Sequence, residues 1–171
     1  MAKVRKFVAY RRLERPYTRR SKYAERSFIR ANPHIKIVKF DMGNTTKDFP
    51  AKVYLVAKSD LQIRHNALES ARLASNRYLE KKLGKMGFHL KLNVYPHHIL
   101  RENPLASGAG ADRLSTGMKM SFGKPIGAAA QIRKNQRIFS VGVEKEHLEV
   151  AKEALRKAST KLPWGYKVVV A

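Results

Sequence analysis

Positive charge is concentrated at one end of this chain, and that imbalance limits what the chain can fold into by itself. Its 171 residues carry 36 Lys and Arg against 13 Asp and Glu, a formal net charge of +23. Residues 1–39 hold 13 basic side chains against only Glu14 and Glu25, a surplus of 11. Because like charges repel each other in a compact state, such a chain needs a polyanion to neutralise it. This distribution favours a basic arm attached to a folded domain.

Aromatic side chains interrupt the basic stretch, and this combination is typical of nucleic-acid binding. Five rings stand among the Arg and Lys residues of the first 33 positions: Phe7, Tyr10, Tyr17, Tyr23 and Phe28. Basic groups neutralise phosphates, while rings and guanidinium groups stack on exposed bases. A flexible solubilising tail is the alternative interpretation, but such tails are usually poor in aromatic residues. We therefore predict that residues 1–33 form an RNA-binding extension.

Residues 34–171 carry the hydrophobic pattern of one α+β domain. The pattern predicts strands at 34–40, 52–57, 88–95 and 166–170, and shorter apolar stretches lie at 127–132 and 138–143. One helix is predicted from an N-cap at Ser59 or Asp60 to about Lys85, with small residues facing a sheet. A second helix is predicted from Glu144 to about Lys161. The fold class is therefore α+β, with two main helices on a mixed sheet of several strands.

A long segment at residues 101–117 shows no periodicity and contains three glycines. Loops of this length in a compact domain are uncommon and are either functional or disordered. The adjoining segment from Gly117 to Pro125 resembles a phosphate loop, but its glycine spacing is one residue too long and Pro125 stands where Ser or Thr would hold magnesium. A basic turn against RNA and an ordinary hairpin crossing both remain open for this segment.

Residue types that carry catalysis or bind metals are scattered along the chain. His97 and His98 are adjacent, so in an extended chain they point to opposite faces and suit a shared metal badly. The absence of cysteine excludes disulfides and thiolate metal sites. The sequence also lacks a run of about eighteen apolar residues and a secretory signal. We therefore expect a soluble cytoplasmic protein that is not an enzyme and has no metal, cofactor, membrane or small-molecule partner.

Two stretches closely resemble one family of ribosomal proteins. They are ALESARLASNRYL at Ala67–Leu79 and GADRLSTGMKMSFGKPIG at Gly110–Gly127. Both are similar to the archaeal and eukaryotic large-subunit ribosomal protein family L-ten-e, whose bacterial counterpart is large-subunit protein sixteen. The resemblance runs from about Arg15 to the C-terminal strand, so it covers nearly the whole chain. The absence of cysteine and the lysine-rich helices favour an archaeal member.

The resemblance implies an α/β fold of the hammerhead type, bound in a cleft of large-subunit ribosomal RNA near the peptidyl transferase region. Neighbouring ribosomal proteins would be further partners, and the protein would be ribosome-bound in the cytoplasm. It also implies that the loop matching Arg101–Leu114 reaches toward the acceptor arm of transfer RNA and can be disordered in the isolated protein. The loop residues assigned to this role are Arg101, Ser107, Gly108, Gly110, Asp112 and Arg113.

Phosphate and sugar contacts are expected to dominate RNA binding, because folded RNA is recognised mainly by shape and backbone. The residues predicted to make these contacts are Arg11, Arg12, Arg19, Arg20, Lys22, Arg26, Arg30, Arg64, Arg72, Lys119 and Lys124.

Two other classes of protein compete with a structural ribosomal protein. An RNA-modifying enzyme with a basic substrate-binding arm would bind a nucleotide or methyl donor tightly when purified. A stand-alone nucleic-acid chaperone would remain in the light fractions on cell fractionation, whereas a ribosomal protein would sediment with large subunits at high salt.

Overall fold

The computed structural model describes residues 4–13, 17–21, 23–103, 106, 108–114, 117–163 and 165–171. Within these ranges the strands are β1 Asp41–Gly43, β2 Ala51–Ala57, β3 Leu61–Arg64, β4 His89–Leu92, β5 His98–Glu102, β6 Lys124–Ile132, β7 Arg137–Val143 and β8 Tyr166–Val170. The helices are α1 His65–Leu83, α2 Ala111–Leu114 and α3 Leu148–Ser159, with 3-10 turns at Phe7–Ala9, Ala24–Arg26 and Lys145–His147.

The strands form two antiparallel sheets. The larger sheet has the order β1-β4-β7-β2-β8, and the smaller has the order β3-β6-β5. Strands β2 and β7 are rich in β-branched and aromatic residues, which suits them to a pleated surface covered on one or both faces. The α+β class with two main helices is confirmed, but two antiparallel sheets take the place of the predicted mixed sheet.

The two longer helices pack against each other and cover the core. Helix α3 buries Ala151, Ala154, Leu155 and Ala158, and it lies against strands β2, β7 and β8 of the larger sheet. Helix α1 packs chiefly against α3 and also contacts β3 and β6 of the smaller sheet. The small alanine side chains let the helices approach closely, because little volume separates their backbones. Fully buried side chains such as Phe139 complete the core.

Helix α1 begins later than its sequence pattern predicts. The predicted N-cap at Ser59 or Asp60 is wrong, because residues 61–64 form strand β3 and Arg64 is the residue before the helix. The other end agrees with the prediction: Gly84 follows the helix with φ +69, a left-handed conformation that glycine adopts at little cost.

The strand predicted at residues 34–40 is also wrong. Burial partly alternates there, with Ile37 buried and Val38 73% exposed, but the segment belongs to no sheet. Two of its backbone N–H groups bond to side chains of helix α1: Lys36 donates to His65 Nδ1 at 3.0 Å, and Val38 donates to the Glu69 carboxylate. At its end, the Phe40 carbonyl oxygen accepts from the Leu92 N–H of β4 at 2.8 Å.

The loop predicted at residues 101–117 begins later than predicted, after Glu102, and it contains one helical turn. Arg101 and Glu102 are the last residues of β5, paired with Pro125 and Lys124 of β6. Residues 111–114 form α2. None of the described helices is long and apolar enough to cross a membrane.

Candidate nucleic-acid interface

The N-terminal segment, which comprises residues 4–13, 17–21 and 23–30 of the described structure, runs along β3 and β5, the two outer strands of the three-stranded sheet. Beside β3, the Gln62 N–H donates to the Arg11 carbonyl oxygen at 3.2 Å. Beside β5, Arg19 forms an antiparallel bridge with His98. Basic residues of the first 30 positions are thereby attached to the edges of this sheet.

Thr18 anchors the segment most firmly. It is fully buried, and its hydroxyl donates to the Ile99 carbonyl oxygen at 2.5 Å while the Ile99 N–H donates to the Thr18 carbonyl oxygen at 3.2 Å. On its other side, Arg19 accepts a hydrogen bond from the Phe28 N–H at 2.8 Å. This pairing brings residues 28–30 next to residues 19–20 and gathers their basic side chains.

Several site arginines are held by neutral partners. Three of them donate to backbone carbonyl oxygens at 2.6 Å: Arg20 to Arg30, Arg64 to Arg5, and Arg101 to Phe122. A carbonyl oxygen fixes the position of a guanidinium group without cancelling its charge. The positive field of these residues is therefore retained for an external anion.

An open groove of about 670 Å³ lies between the N-terminal segment and the start of β5. The charged side chains among its lining are all arginines, and planar rings accompany them. Its principal lining residues are Arg19, Arg20, Tyr23, Arg26, Asn32, Tyr95 and His97. Tyr95 is 46% exposed, although it lies just beyond a strand that otherwise buries its apolar side chains.

A second group of charges surrounds the start of the loop between β5 and β6. The Arg5 Nε donates to Glu102 Oε1 at 2.7 Å, and this pairing raises the pKa of Arg5. Lys124 is opposite Glu102 in the β5–β6 ladder. On the adjacent turn, the Phe122 N–H donates to the Lys119 carbonyl oxygen at 2.9 Å. The loop therefore leaves the sheet between basic side chains.

The other predicted residues of the loop are exposed where the structure describes them. Gly108, Gly110 and Arg113 lie at the surface, and both glycines have positive φ. The backbone of Asp112 belongs to α2. Ser107 and, in the N-terminal segment, Lys22 lie outside the described residues.

The remaining predicted RNA-binding residues are mostly accessible. Those with exposed side chains are Arg11, Arg12, Arg26, Arg30, Lys119 and Lys124, and those that are half-buried are Arg19, Arg20 and Arg64.

Arg72 does not lie on the exposed face that the helical pattern predicts. It is 6% exposed, and it donates to both carboxylate oxygens of Glu69 and to the Met42 sulfur at 3.0 Å. The neighbouring guanidinium lowers the pKa of Glu69. The Arg72 charge is thus paired with Glu69 inside the domain, and we do not include Arg72 in the candidate interface.

The two adjacent histidines have separate partners. His97 Nδ1 lies 2.9 Å from the Arg20 carbonyl oxygen, while His98 Nδ1 lies 2.6 Å from Gln62 Oε1. Burial, and then the charge of Arg101, lowers the pKa of His98 to about 4. His98 is therefore neutral at physiological pH. It lies with Gln62 and Gln131 in a row of polar side chains across the smaller sheet. No group of metal-ligating side chains occurs within the described ranges.

Sequence reasoning does not identify Arg5, Asn32, Tyr95 and His97 as parts of this surface. Arg5 is one basic residue among many, and nothing in its neighbourhood marks its pairing with Glu102. The alternating pattern places Tyr95 in a strand; its position directly before Pro96 is the available signal, because proline ends a strand and turns the chain outward.

The charged edge and the aromatic groove are features of a nucleic-acid-binding surface. The family model for Ribosomal protein L16p/L10e matches residues 13–169. The chain belongs to this family, which is one of structural ribosomal proteins and not of enzymes.

Individual relatives agree with that assignment. The large ribosomal subunit protein uL16 of Methanococcus maripaludis strain C5 is 51% identical over 153 residues, which cover 90% of this chain and 88% of the relative. The protein of the same name from Archaeoglobus fulgidus is 50% identical over 161 residues, covering 94% of this chain and 89% of the relative. Both organisms are archaea, in agreement with the archaeal character predicted from composition.

Proposed function

We propose that this protein is a structural constituent of the large ribosomal subunit in the cytoplasm. It binds large-subunit ribosomal RNA with its N-terminal segment and the smaller sheet, beside neighbouring ribosomal proteins. Its loop between β5 and β6 lies near the acceptor arm of transfer RNA and the peptidyl transferase region.

One observation carries the RNA-binding part of this proposal. Arg20, Arg64 and Arg101 are oriented by carbonyl oxygens and keep their full charge. An ion pair would have neutralised these guanidinium groups, and side chains without any partner would have had no fixed orientation. Cations that are positioned but not neutralised suit a phosphate backbone, where each one releases a condensed counterion.

The geometry of the loop supports its proposed position near transfer RNA. Arg101 bonds to Phe122 across the base of the loop, so the two ends are held together while Gly108 and Gly110 remain exposed. Exposed glycines let a backbone approach another molecule closely.

Salt-dependent binding tests the RNA contact. The affinity for large-subunit ribosomal RNA is measured against salt for the full chain and for a variant with Arg11, Arg12, Arg26 and Arg30 all changed to Gln. The slope of log affinity against log salt is expected to fall by about 0.9 for each phosphate that the variant no longer neutralises. Point substitutions are preferable to deleting residues 1–30, because the deletion also removes the bonds of Thr18 to β5.

A matched control removes the same number of charges elsewhere. Lys52, Lys58, Lys145 and Lys167 are exposed and lie on or near the larger sheet and α3. Changing all four to Gln should leave the slope close to that of the unmodified protein. Equal slopes for the two variants would reject the N-terminal segment as the phosphate-binding surface, and a full chain that failed to sediment with large subunits at high salt would reject the ribosomal role.

The loop is tested in assembled subunits. Replacing residues 108–111 should leave incorporation into large subunits intact but reduce the rate of translation. If incorporation fails instead, the loop has an architectural role in the subunit and its proposed position at transfer RNA is wrong.

A further inference from the structure

We propose that the groove between residues 19–32 and Tyr95 binds one unpaired nucleotide of RNA, with its base stacked on Tyr95 and its phosphate bound by the groove arginines. This inference rests on the proposed RNA-binding function and adds to it a defined subsite.

The size and lining of the groove fit a nucleotide. Its volume of about 670 Å³ lies within the range of about 300–1,000 Å³ usual for small-molecule sites. It is lined by both apolar and polar groups, with Ile35, Pro96 and Ile99 at the apolar part. A planar, largely apolar base with polar edges matches such a lining.

Tyr95 has the properties of a stacking platform. Its ring stacks on Phe40 with centroids 5.5 Å apart and an interplanar angle of 22°, and it meets the His97 ring at 4.7 Å and 51°. These two rings fix the orientation of Tyr95, so stacking a base on its exposed surface costs little side-chain entropy. A large aromatic side chain that is 46% exposed yet held on two sides is already arranged for a planar ligand.

The charges of the groove favour the phosphate of the same nucleotide. Arg19, Arg20 and Arg26 line it, and no acidic side chain appears among its described lining residues. The Arg20 guanidinium is oriented by the Arg30 carbonyl oxygen at 2.6 Å. The Arg26 guanidinium lies 5.4 Å from the centroid of the Tyr23 ring, and both residues line the groove.

Asn32 supplies the type of group that reads a base edge. Its side chain is exposed at the groove, and an amide offers both a donor and an acceptor. Bases inside a duplex have no accessible face for Tyr95, so the site selects a nucleotide that has been splayed out of a helix.

The test uses a uridine dodecamer RNA with one central 2-aminopurine, added to the full-length protein. Uridines stack weakly, so the fluorescent purine is expected to occupy the groove, and its emission should fall on binding because stacking quenches it. Tyr95→Leu should weaken binding of this strand at least about fivefold, since base–aromatic stacking is worth roughly 1–3 kcal/mol. The salt slope should stay unchanged, because no phosphate-binding group is removed.

Three controls isolate the stacking interaction. Tyr95→Trp should retain both affinity and quenching, because it keeps a planar ring. Tyr54→Leu removes a tyrosine from β2 in the larger sheet and should bind like the unmodified protein. The same RNA annealed to its complement should bind Tyr95→Leu and the unmodified protein equally.

The results separate this inference from the general function. Bright 2-aminopurine in the complex with the unmodified protein, or a Tyr95→Leu variant that binds as tightly as the unmodified protein, would overturn the nucleotide site while leaving RNA binding intact. Should Tyr95→Leu fail to fold, quenching by the unmodified protein and by Tyr95→Trp decides the matter. Failure of the unmodified protein to bind either this strand or ribosomal RNA would reject both proposals.

Discussion

Arg72 and Glu69 form a buried ion pair within one turn of helix α1: the Arg72 Nε donates to Glu69 Oε2 at 2.8 Å, and a second nitrogen of the guanidinium donates to Oε1. Their side chains are only 7% and 14% exposed. A charge left alone at such a depth is costly, so neither partner is expected to tolerate removal of the other.

Glu69→Gln should therefore destabilise the protein by about 3 kcal/mol, because it leaves the Arg72 cation buried without its counter-charge. Urea denaturation monitored by circular dichroism measures this change. The double variant with Arg72→Met should recover part of the stability, and Arg72→Met alone should leave the salt slope of RNA binding unchanged. A smaller salt slope for Arg72→Met would mean that Arg72 does contact RNA phosphates.

His98 should make stability depend on pH. Its pKa is about 4 in the folded protein and 6.5 when exposed, because burial and then Arg101 disfavour its charged form. Below pH 6.5 the unfolded chain binds the proton and the folded chain does not. The stabilisation is therefore complete above pH 6.5 and is lost as the pH falls toward 4, by an amount on the order of 2 kcal/mol between pH 7 and pH 5.

The matched variant for this group is His98→Gln, which keeps a donor for Gln62 but does not titrate. Free energies of unfolding are compared across this pH range for both proteins. The difference between them should change with pH in the stated direction, and parallel curves would show that His98 carries a normal pKa.

Gly43→Ala should be strongly destabilising. Gly43 has φ +85, and a Cβ atom built there would lie 2.1 Å from the Phe88 carbonyl oxygen, inside the β1–β4 pairing. Backbone strain of roughly 1–2 kcal/mol and the clash act together. Gly84→Ala is the control, because Gly84 also has a positive φ but meets no atom within 4 Å. Equal destabilisation of the two variants in thermal or urea unfolding would mean that the clash relaxes freely.

Arg5→Gln and Glu102→Gln should loosen the N-terminal segment without unfolding the domain. Their 2.7 Å ion pair joins this segment to the last residue of β5. Amide hydrogen exchange should accelerate at Gln62, whose N–H bonds to Arg11, while the amides of β7 remain protected. Unchanged exchange at Gln62 would show that other interactions hold the segment.

The local sequence pattern is sufficient to predict an element when the spacing of its apolar residues matches its own secondary structure. Strand β8 is predicted with its observed bounds. Helix α3 is predicted from its apolar stripe and the charges near its ends, but it begins at Leu148, after a 3-10 turn, and not at Glu144. Strand β3 escapes prediction because Ile63 is four residues before Ala67 and so continues the helical spacing. Only the pairing of this segment with β6, some 70 residues later in the chain, identifies a strand.

The candidate site shows the same division. Composition predicts a cationic, aromatic N-terminal segment, but charge alone does not tell which cation is paired internally. The Glu69–Arg72 spacing of three residues is a readable signal for a helical ion pair. The arrangement of Phe40, Tyr95 and His97 could not be read locally, because it depends on an irregular segment packing beside the end of β4.

The attachment of Arg11, Thr18 and Arg19 to the two outer strands of the smaller sheet has a consequence for biosynthesis. Residues of the N-terminal segment can take their final positions only after β3, β5 and the central β6, which ends at Ile132, have been synthesised. Until then, the basic N-terminal segment of the nascent chain has no strand with which to pair. The N-terminal segment can thus reach its final position only after most of the domain has been synthesised.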